Sequence, residues 1–284
     1  MSLKKSNTVV RELPHGLIHA VERLSLGFEW ATPLDGRSMA RLSALGNQLV
    51  DELPRKLEIS TSDIRPHGPG SDDEQSGSED AELFAVMFDD NKDKDGPVDL
   101  KHTEIIINNE GMFFTVYARY DGWEVTRALA LKLCSVFLEE IVRDISLTAI
   151  EIKVANIFGL AKFSGQLSDL LSDRCDSLPR RVFGAQGLWH VDEGYFETHD
   201  DQDMRQLLVN LSVSKTLEDD EESLYIRTLH RFEFNTRASD SLPVTKLFDK
   251  FEHLHAINKD LLASVLTDDI SDALGLFADK RALV

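Results

Sequence analysis

The chain has 284 residues, enough for one large domain or two small ones with a sizeable core. Its 42% apolar and 29% charged residues are a globular balance and exclude a disordered chain. Fifty acidic against 31 basic side chains give a formal net charge of −19, which argues against direct nucleic-acid binding because no compensating basic stripe is present.

From Glu22 to Trp30 the sequence alternates, with Leu24, Leu26, Phe28 and Trp30 on one face and Arg23, Ser25 and Glu29 on the other. That period of two predicts a half-buried strand. Met39, Leu42, Leu45, Leu49 and Leu53 follow at spacings of three and four and predict one helix ending before Pro54. Residues 62–80 combine Pro, Gly and Ser with acids and read as a mobile acidic loop inserted into the fold.

Strand-like segments resume at Glu82–Phe88, His102–Asn108 and Met112–Tyr120, the last two flanking a hairpin signal at Asn108-Asn109-Glu110-Gly111. Val125, Leu129, Leu133, Val136, Phe137, Ile141 and Ile145 mark a long helix, and Ile150, Ile152, Val154 and Phe158 alternate as another strand. Beyond a short helix at Leu167–Leu171, strands are expected around Gln186–Glu197, Leu207–Lys215 and Leu224–Asn235. Val244, Leu247, Phe248, Phe251, Leu254, Ile257, Leu261 and Val265 define a strong amphipathic helix, and Thr267 caps a shorter one running to about Phe277.

Strands cluster and helices follow them, which predicts an α+β fold: antiparallel sheet with the long amphipathic helices packed on one face. Residues 1–160 form an N-terminal half and residues 161–284 a C-terminal half packed with it as one unit, the second loosely repeating the first. Cys134 and Cys175 make neither a disulfide framework nor a metal site and suit a reducing cytoplasm. The start, Met1-Ser-Leu-Lys-Lys, leads into polar sequence, and charges interrupt every apolar stretch, so neither a signal core nor a membrane span is expected.

Three stretches together carry a resemblance. They are the aromatic strand from Met112 through Tyr117-Ala-Arg-Tyr-Asp-Gly-Trp123, the strand Ile150-Glu-Ile-Lys-Val-Ala-Asn156, and the segment Phe251-Glu-His-Leu-His through Thr267. In that order they resemble a family of bacterial proteins, sporadic in distribution and without an agreed activity, over about residues 17–275. Val154 stands where that family has a tyrosine, Leu262 near its usual phenylalanine, and the loop at 62–80 looks added. The resemblance implies a bacterial α+β protein and favours a role in an accessory gene cassette. It brings no catalytic residue to this chain.

Asn91, Asp93, Asp95 and Asp99 place oxygen ligands at positions 1, 3, 5 and 9 of a calcium-like loop, with Gly96 at position 6. Position 12 is His102 rather than a bidentate glutamate, so an acidic hairpin turn explains the segment more simply. Calcium is the one cofactor the sequence suggests. His253 and His255 lie two apart on a helix and point too far apart to chelate one ion. His190 and His199 have acids nearby but no zinc-type spacing. No Gly-x-Ser-x-Gly elbow, Walker pattern or Gly-x-Gly-x-x-Gly turn occurs, so the reading leans away from an enzyme. Asn156, a polar amide on a buried-looking strand, either ties down a loop or lines a pocket. Tyr117, Tyr120 and Trp123 form an aromatic edge that reads as core packing or as a ligand or partner surface.

Three functional readings stay open. One is a binding or accessory protein that engages a protein partner, with no direct nucleic-acid or membrane contact. Another is a small-molecule binder or enzyme with a pocket between sheet and helices near Asn156 and the aromatic turn. The third is an acidic decoy for a nucleic-acid-binding protein, with carboxylates of residues 200–203 and 218–222 on one face.

Overall fold

The computed structural model describes residues 10–60, 82–92, 102–118, 120–198, 203–218, 220–235 and 243–277. The first half contains β1 (Arg11–Glu12), β2 (Ile18–Trp30), α1 (Gly36–Leu45), β3 (Arg55–Ser60), β4 (Leu83–Asp89), β5 (Thr103–Asn108), β6 (Gly111–Tyr117) and α2 (Trp123–Ile141). The second contains β7 (Leu147–Gly159), α3 (Leu167–Leu170), β8 (Trp189–Glu197), β9 (Met204–Glu218), β10 (Glu221–Phe234), α4 (Val244–Val265) and α5 (Asp268–Leu274). The strands make one antiparallel sheet in the order β3-β4-β5-β6-β2-β7-β10-β9-β8, with β1 pairing β2. The fold is α+β, and no described helix is long and apolar enough to cross a membrane.

Both halves follow the same path. A first strand (β2 or β7) leads through a helix into an antiparallel meander, whose last strand (β6 or β10) returns beside the first. A long helix, α2 or α4, comes next. The two first strands pair with each other at the centre of the sheet.

Sheet register separates two faces. On one, Leu24, Leu26 and Phe28 of β2 lie opposite Val154, Ile152 and Ile150 of β7. These side chains join Phe232, Phe137, Phe248 and Phe251 in the main core beneath α1, α2 and α4. Phe28 meets the edge of Phe251 with ring centroids 5.2 Å apart. A bulge between Val21 and Arg23 offsets the alternation by one residue. His19 and Val21 therefore point to the helices along with Leu24, although the spacing from 21 to 24 is odd.

On the opposite face stand Arg23, Ser25 and Glu29 of β2, Glu151, Lys153 and Ala155 of β7, and Arg227, Arg231 and Glu233 of β10. Polar contacts tie this face together. Ser25 and Thr115 hydroxyls lie 3.0 Å apart, and Arg231 reaches Glu29 at 2.9 Å through Nε and also pairs with Glu233. Arg55 and Asp89, register partners on β3 and β4, form a buried two-pronged ion pair with Nε and Nη2 at 2.7 to 2.9 Å from the carboxylate.

Two expectations need correction. The helix predicted through Leu53 stops at Leu45 and continues as a single 3-10 stretch, Gly46–Leu49. Gly46 sits against the Phe88 ring, and a Cβ there would fall 2.0 Å from Phe88 Cε1, so close approach rather than helix propensity governs that turn. Thr267 does occupy the N-cap of α5, but its hydroxyl donates to the Asp169 carbonyl at 3.0 Å instead of capping the helix. The hairpin between β5 and β6 forms as expected, with Asn108 Oδ1 accepting from the amides of Glu110 and Gly111 at 2.9 and 2.7 Å.

Candidate functional site

Toward the β1 end of the helix-covered face the apolar packing gives way to polar side chains. His19 comes from β2, Asn156 from β7, Thr228 and His230 from β10, and Asn258 from α4. All five are buried, His230 completely. A cleft of about 270 Å³ opens here between the sheet and α4, lined by His19, Val21, Leu24, Tyr120, Asn156, His255 and Asn258 among others. Arg11 donates to the Leu274 carbonyl at 2.9 Å and to Ala273 at 3.3 Å, holding the end of α5 beside the opening. Gly275 takes a left-handed φ of 76° that an L side chain resists, and so turns Leu276 to line the cleft.

His19 Nε2 lies 3.0 Å from Asn156 Oδ1. Burial pushes the His19 pKa down to about 4, with the Asn156 hydrogen bond opposing the shift, so the imidazole is neutral at pH 7 and donates Nε2–H to the amide oxygen. Asn156 Nδ2 is then a buried donor with no partner. Turning the amide over does not help, because its other end is orphaned in exchange. An unsatisfied buried amide costs about 1–3 kcal/mol. Asn258, by contrast, is satisfied by donating Nδ2–H to Thr228 Oγ1.

The α4 wall is braced from α2. The His255 ring stacks on Trp123 with centroids 4.2 Å apart and planes 7° apart, while Trp123 Nε1 donates to Glu252 at 2.7 Å. Tyr120 has its hydroxyl pKa pushed up to about 12, by burial first and by the charge of Glu124 second. A neutral phenol, the neutral His19 imidazole and amides on apolar walls offer hydrogen bonds to a guest, beside the cations Arg11 and Lys259 that also line the cleft.

Of the residues singled out in the sequence, Asn156 and Tyr120 line this cleft, and Trp123 stands one layer behind it through His255. Tyr117 does not join them. It falls on the face away from the helices, where it pairs in register with Arg23 and donates its hydroxyl to Glu104. Asn91 is buried just beyond β4, its backbone N–H donating to Asp89 Oδ1 at 3.0 Å, whereas Asp93, Asp95 and Asp99 lie outside the described residues. The two carboxylates before Asn91 are already engaged, Asp89 by Arg55 and Asp90 by the His102 amide at 2.8 Å. Among the described residues no group of three His, Cys, Asp or Glu side chains could hold a metal ion. The loop at 62–80 and residues 200–202 and 219 of the acid-decoy pattern also lie outside the described residues.

Sequence reasoning missed His19, Asn258 and His230. The usable signal was a polar residue at an apolar position: Asn258 interrupts the α4 stripe between Leu254 and Leu262, and His230 falls between Thr228 and Phe232 on a buried strand face. His19 carries no such mark because the bulge hides its phase. No family model matches the chain, and neither a curated protein nor a solved structure does.

Proposed function

We propose that the chain is a small-molecule-binding protein whose site is the cleft between β2, β7 and α4. The observation that carries this reading is the orphaned amide nitrogen of Asn156, a buried donor on the wall of an open cleft. Protein interiors rarely leave such a group unpaired, and an incoming hydrogen-bond acceptor satisfies it once the amide turns toward the cleft. A volume of about 270 Å³ lies just under the roughly 300 Å³ at which ligand pockets begin, so the guest is compact. Its chemistry follows from the lining: a mainly apolar body against Val21, Leu24 and Leu262, with one carbonyl-type acceptor for Asn156. Neither a nucleophile–base pair nor two facing carboxylates line the cleft among the described residues, which favours binding over turnover.

Ligand-observed NMR with compact carbonyl fragments tests the reading on wild type, Asn156→Leu and Arg227→Gln. Signals present in wild type and Arg227→Gln but lost in Asn156→Leu are expected. Fragments that bind all three alike, or none at all, would refute it. Engagement of a protein partner is the second reading, favoured by Phe196, which is 64% exposed on the edge strand β8.

A further inference from the structure

The face of the sheet turned away from the helices holds a second depression, of about 430 Å³, lined by Arg23, Lys153, Ala155, Asp192, Ser212 and Arg227 among others. Sheet register aligns most of these residues. Arg23 of β2 and Arg227 of β10 both pair with Ala155 of β7, Arg227 pairs with Ser212 of β9, and Ser212 pairs with Asp192 of β8. Cross-strand partners project to the same side, so the two arginines stand on either side of an alanine. At roughly 4.8 Å per strand their Cα atoms are about 10 Å apart. The alanine leaves the space between them open.

Like Arg11, Arg37, Arg174, Arg180, Arg181 and Arg205, these two arginines lack a carboxylate partner among the described residues, but sheet register brings Arg23 and Arg227 together in one depression. Arg41, Arg55, Arg127, Arg143 and Arg231 each meet a carboxylate within 4.0 Å. Arg23 and Arg227 meet none among the described residues, although the chain has 50 acids to 31 bases. Arg227 rests instead over the Tyr225 ring, 5.0 Å from its centroid, which steadies the guanidinium while leaving its N–H groups available. Lys153, two residues from Ala155 on the same face, adds a third cation, though Glu151 already pairs with it. Asp192 and Glu193 also line the depression but neither comes within 4.0 Å of the two guanidiniums, and two like charges so placed repel one another unless an anion comes between them.

We infer that this depression is an anion site, in which Arg23 and Arg227 grip a compact phosphate-sized dianion over Ala155 with Ser212 as an additional donor. Planar guanidinium groups match an oxyanion in two-pronged fashion, which an ammonium cannot do. Asp192 stands at the far end of the same row and opposes the anion, so it sets the strength of the site rather than creating it. The depression opens on the face opposite the Asn156 cleft and is independent of it.

Isothermal titration of the full chain with inorganic phosphate at low ionic strength (about 50 mM salt) reads the site directly. Binding below about 10 mM is expected, weakening about tenfold or more in Arg23→Gln and in Arg227→Gln, and tightening in Asp192→Asn. Arg231→Gln, an arginine on the same face already paired with Glu29 and Glu233, is expected to leave phosphate affinity unchanged. A parallel titration with glycerol 3-phosphate separates the sources: tighter binding than phosphate assigns the site to a phosphomonoester, and equal binding assigns it to the free oxyanion. No binding to wild type, or the same affinity in the Arg23→Gln/Arg227→Gln double variant with its melting temperature retained, overturns the inference.

Discussion

The two faces of the sheet are built from the same strands, yet they treat polar groups in opposite ways. Beneath the helices, Phe28, Ile150, Ile152 and Phe232 form an apolar core, and the exceptions are His19 and Asn156 toward one end and His230 beside Ile152 within the core. Asn156 Nδ2 and both ring nitrogens of His230 are left unpartnered on this face. On the other face polar groups are the rule and most are satisfied, as in Arg55–Asp89, Ser25–Thr115 and Arg231 with Glu29. The exceptions on that side are charges without a carboxylate partner among the described residues, Arg23 and Arg227. Each face is therefore informative where it breaks its own rule: an unmet amide under the helices, an unmet pair of cations away from them.

The largest effect is expected where the polar face is most buried. Arg55 and Asp89 are 3% and 0% exposed, so removing one partner strands a charge in the interior. Arg55→Ala is expected to lower unfolding free energy in urea by about 3–5 kcal/mol, whereas the double change Arg55→Met/Asp89→Leu should restore most of it. If the single change cost less than a surface pair, about 1 kcal/mol, the polar face would be solvated and the contrast between faces would weaken.

Acid should break the helix-covered face next. Burial lowers both His19 and His230 from 6.5 to about 4. The unfolded chain therefore binds more protons than the folded one between these values, so stability is full above about pH 6.5 and falls as pH drops toward 4. A shift of this size corresponds to about 3 kcal/mol per histidine across the window. His230→Phe is expected to raise stability at pH 7 by about 1–3 kcal/mol, since its ring nitrogens are unpaired, and to remove roughly half of the histidine-dependent slope. An unchanged slope in urea titrations between pH 6.5 and 4 would show that His230 is solvated in the folded protein.

The same contrast explains what could be read from the sequence. Strict alternation in Leu24, Leu26, Phe28 and Trp30, and the spacing of Leu247, Phe251 and Leu254, announced the sheet and its covering helix because burial of a single face leaves a clean period. Which strands pair, and hence that Arg23 and Arg227 flank Ala155, depends on long-range register that no local pattern encodes. The bulge between Val21 and Arg23 shifts His19 out of phase with the alternation, so a cleft residue falls outside the strand predicted from Glu22 onward. Tyr117 and Tyr120, grouped as one aromatic edge by nearness in sequence, part at Ala118. That residue takes a φ of 54° as the chain leaves β6, and the two tyrosines end on opposite faces.

The smallest stability effect is expected at the group on which the proposed function rests. Asn156→Leu removes the hydrogen bond to His19, which contributes about 1 kcal/mol, but it also removes the unpaired amide nitrogen, whose burial costs a comparable amount. The two terms oppose, so the variant should unfold within about 1 kcal/mol of wild type while losing fragment binding in the cleft. Asn156→Asp is the sharper companion. A carboxylate there has no donor beyond His19, so its pKa rises with burial and stability declines as pH rises above the ordinary carboxylate range. A core amide kept for packing alone would give the reverse result with leucine: a marked loss of stability and no change in what the protein binds.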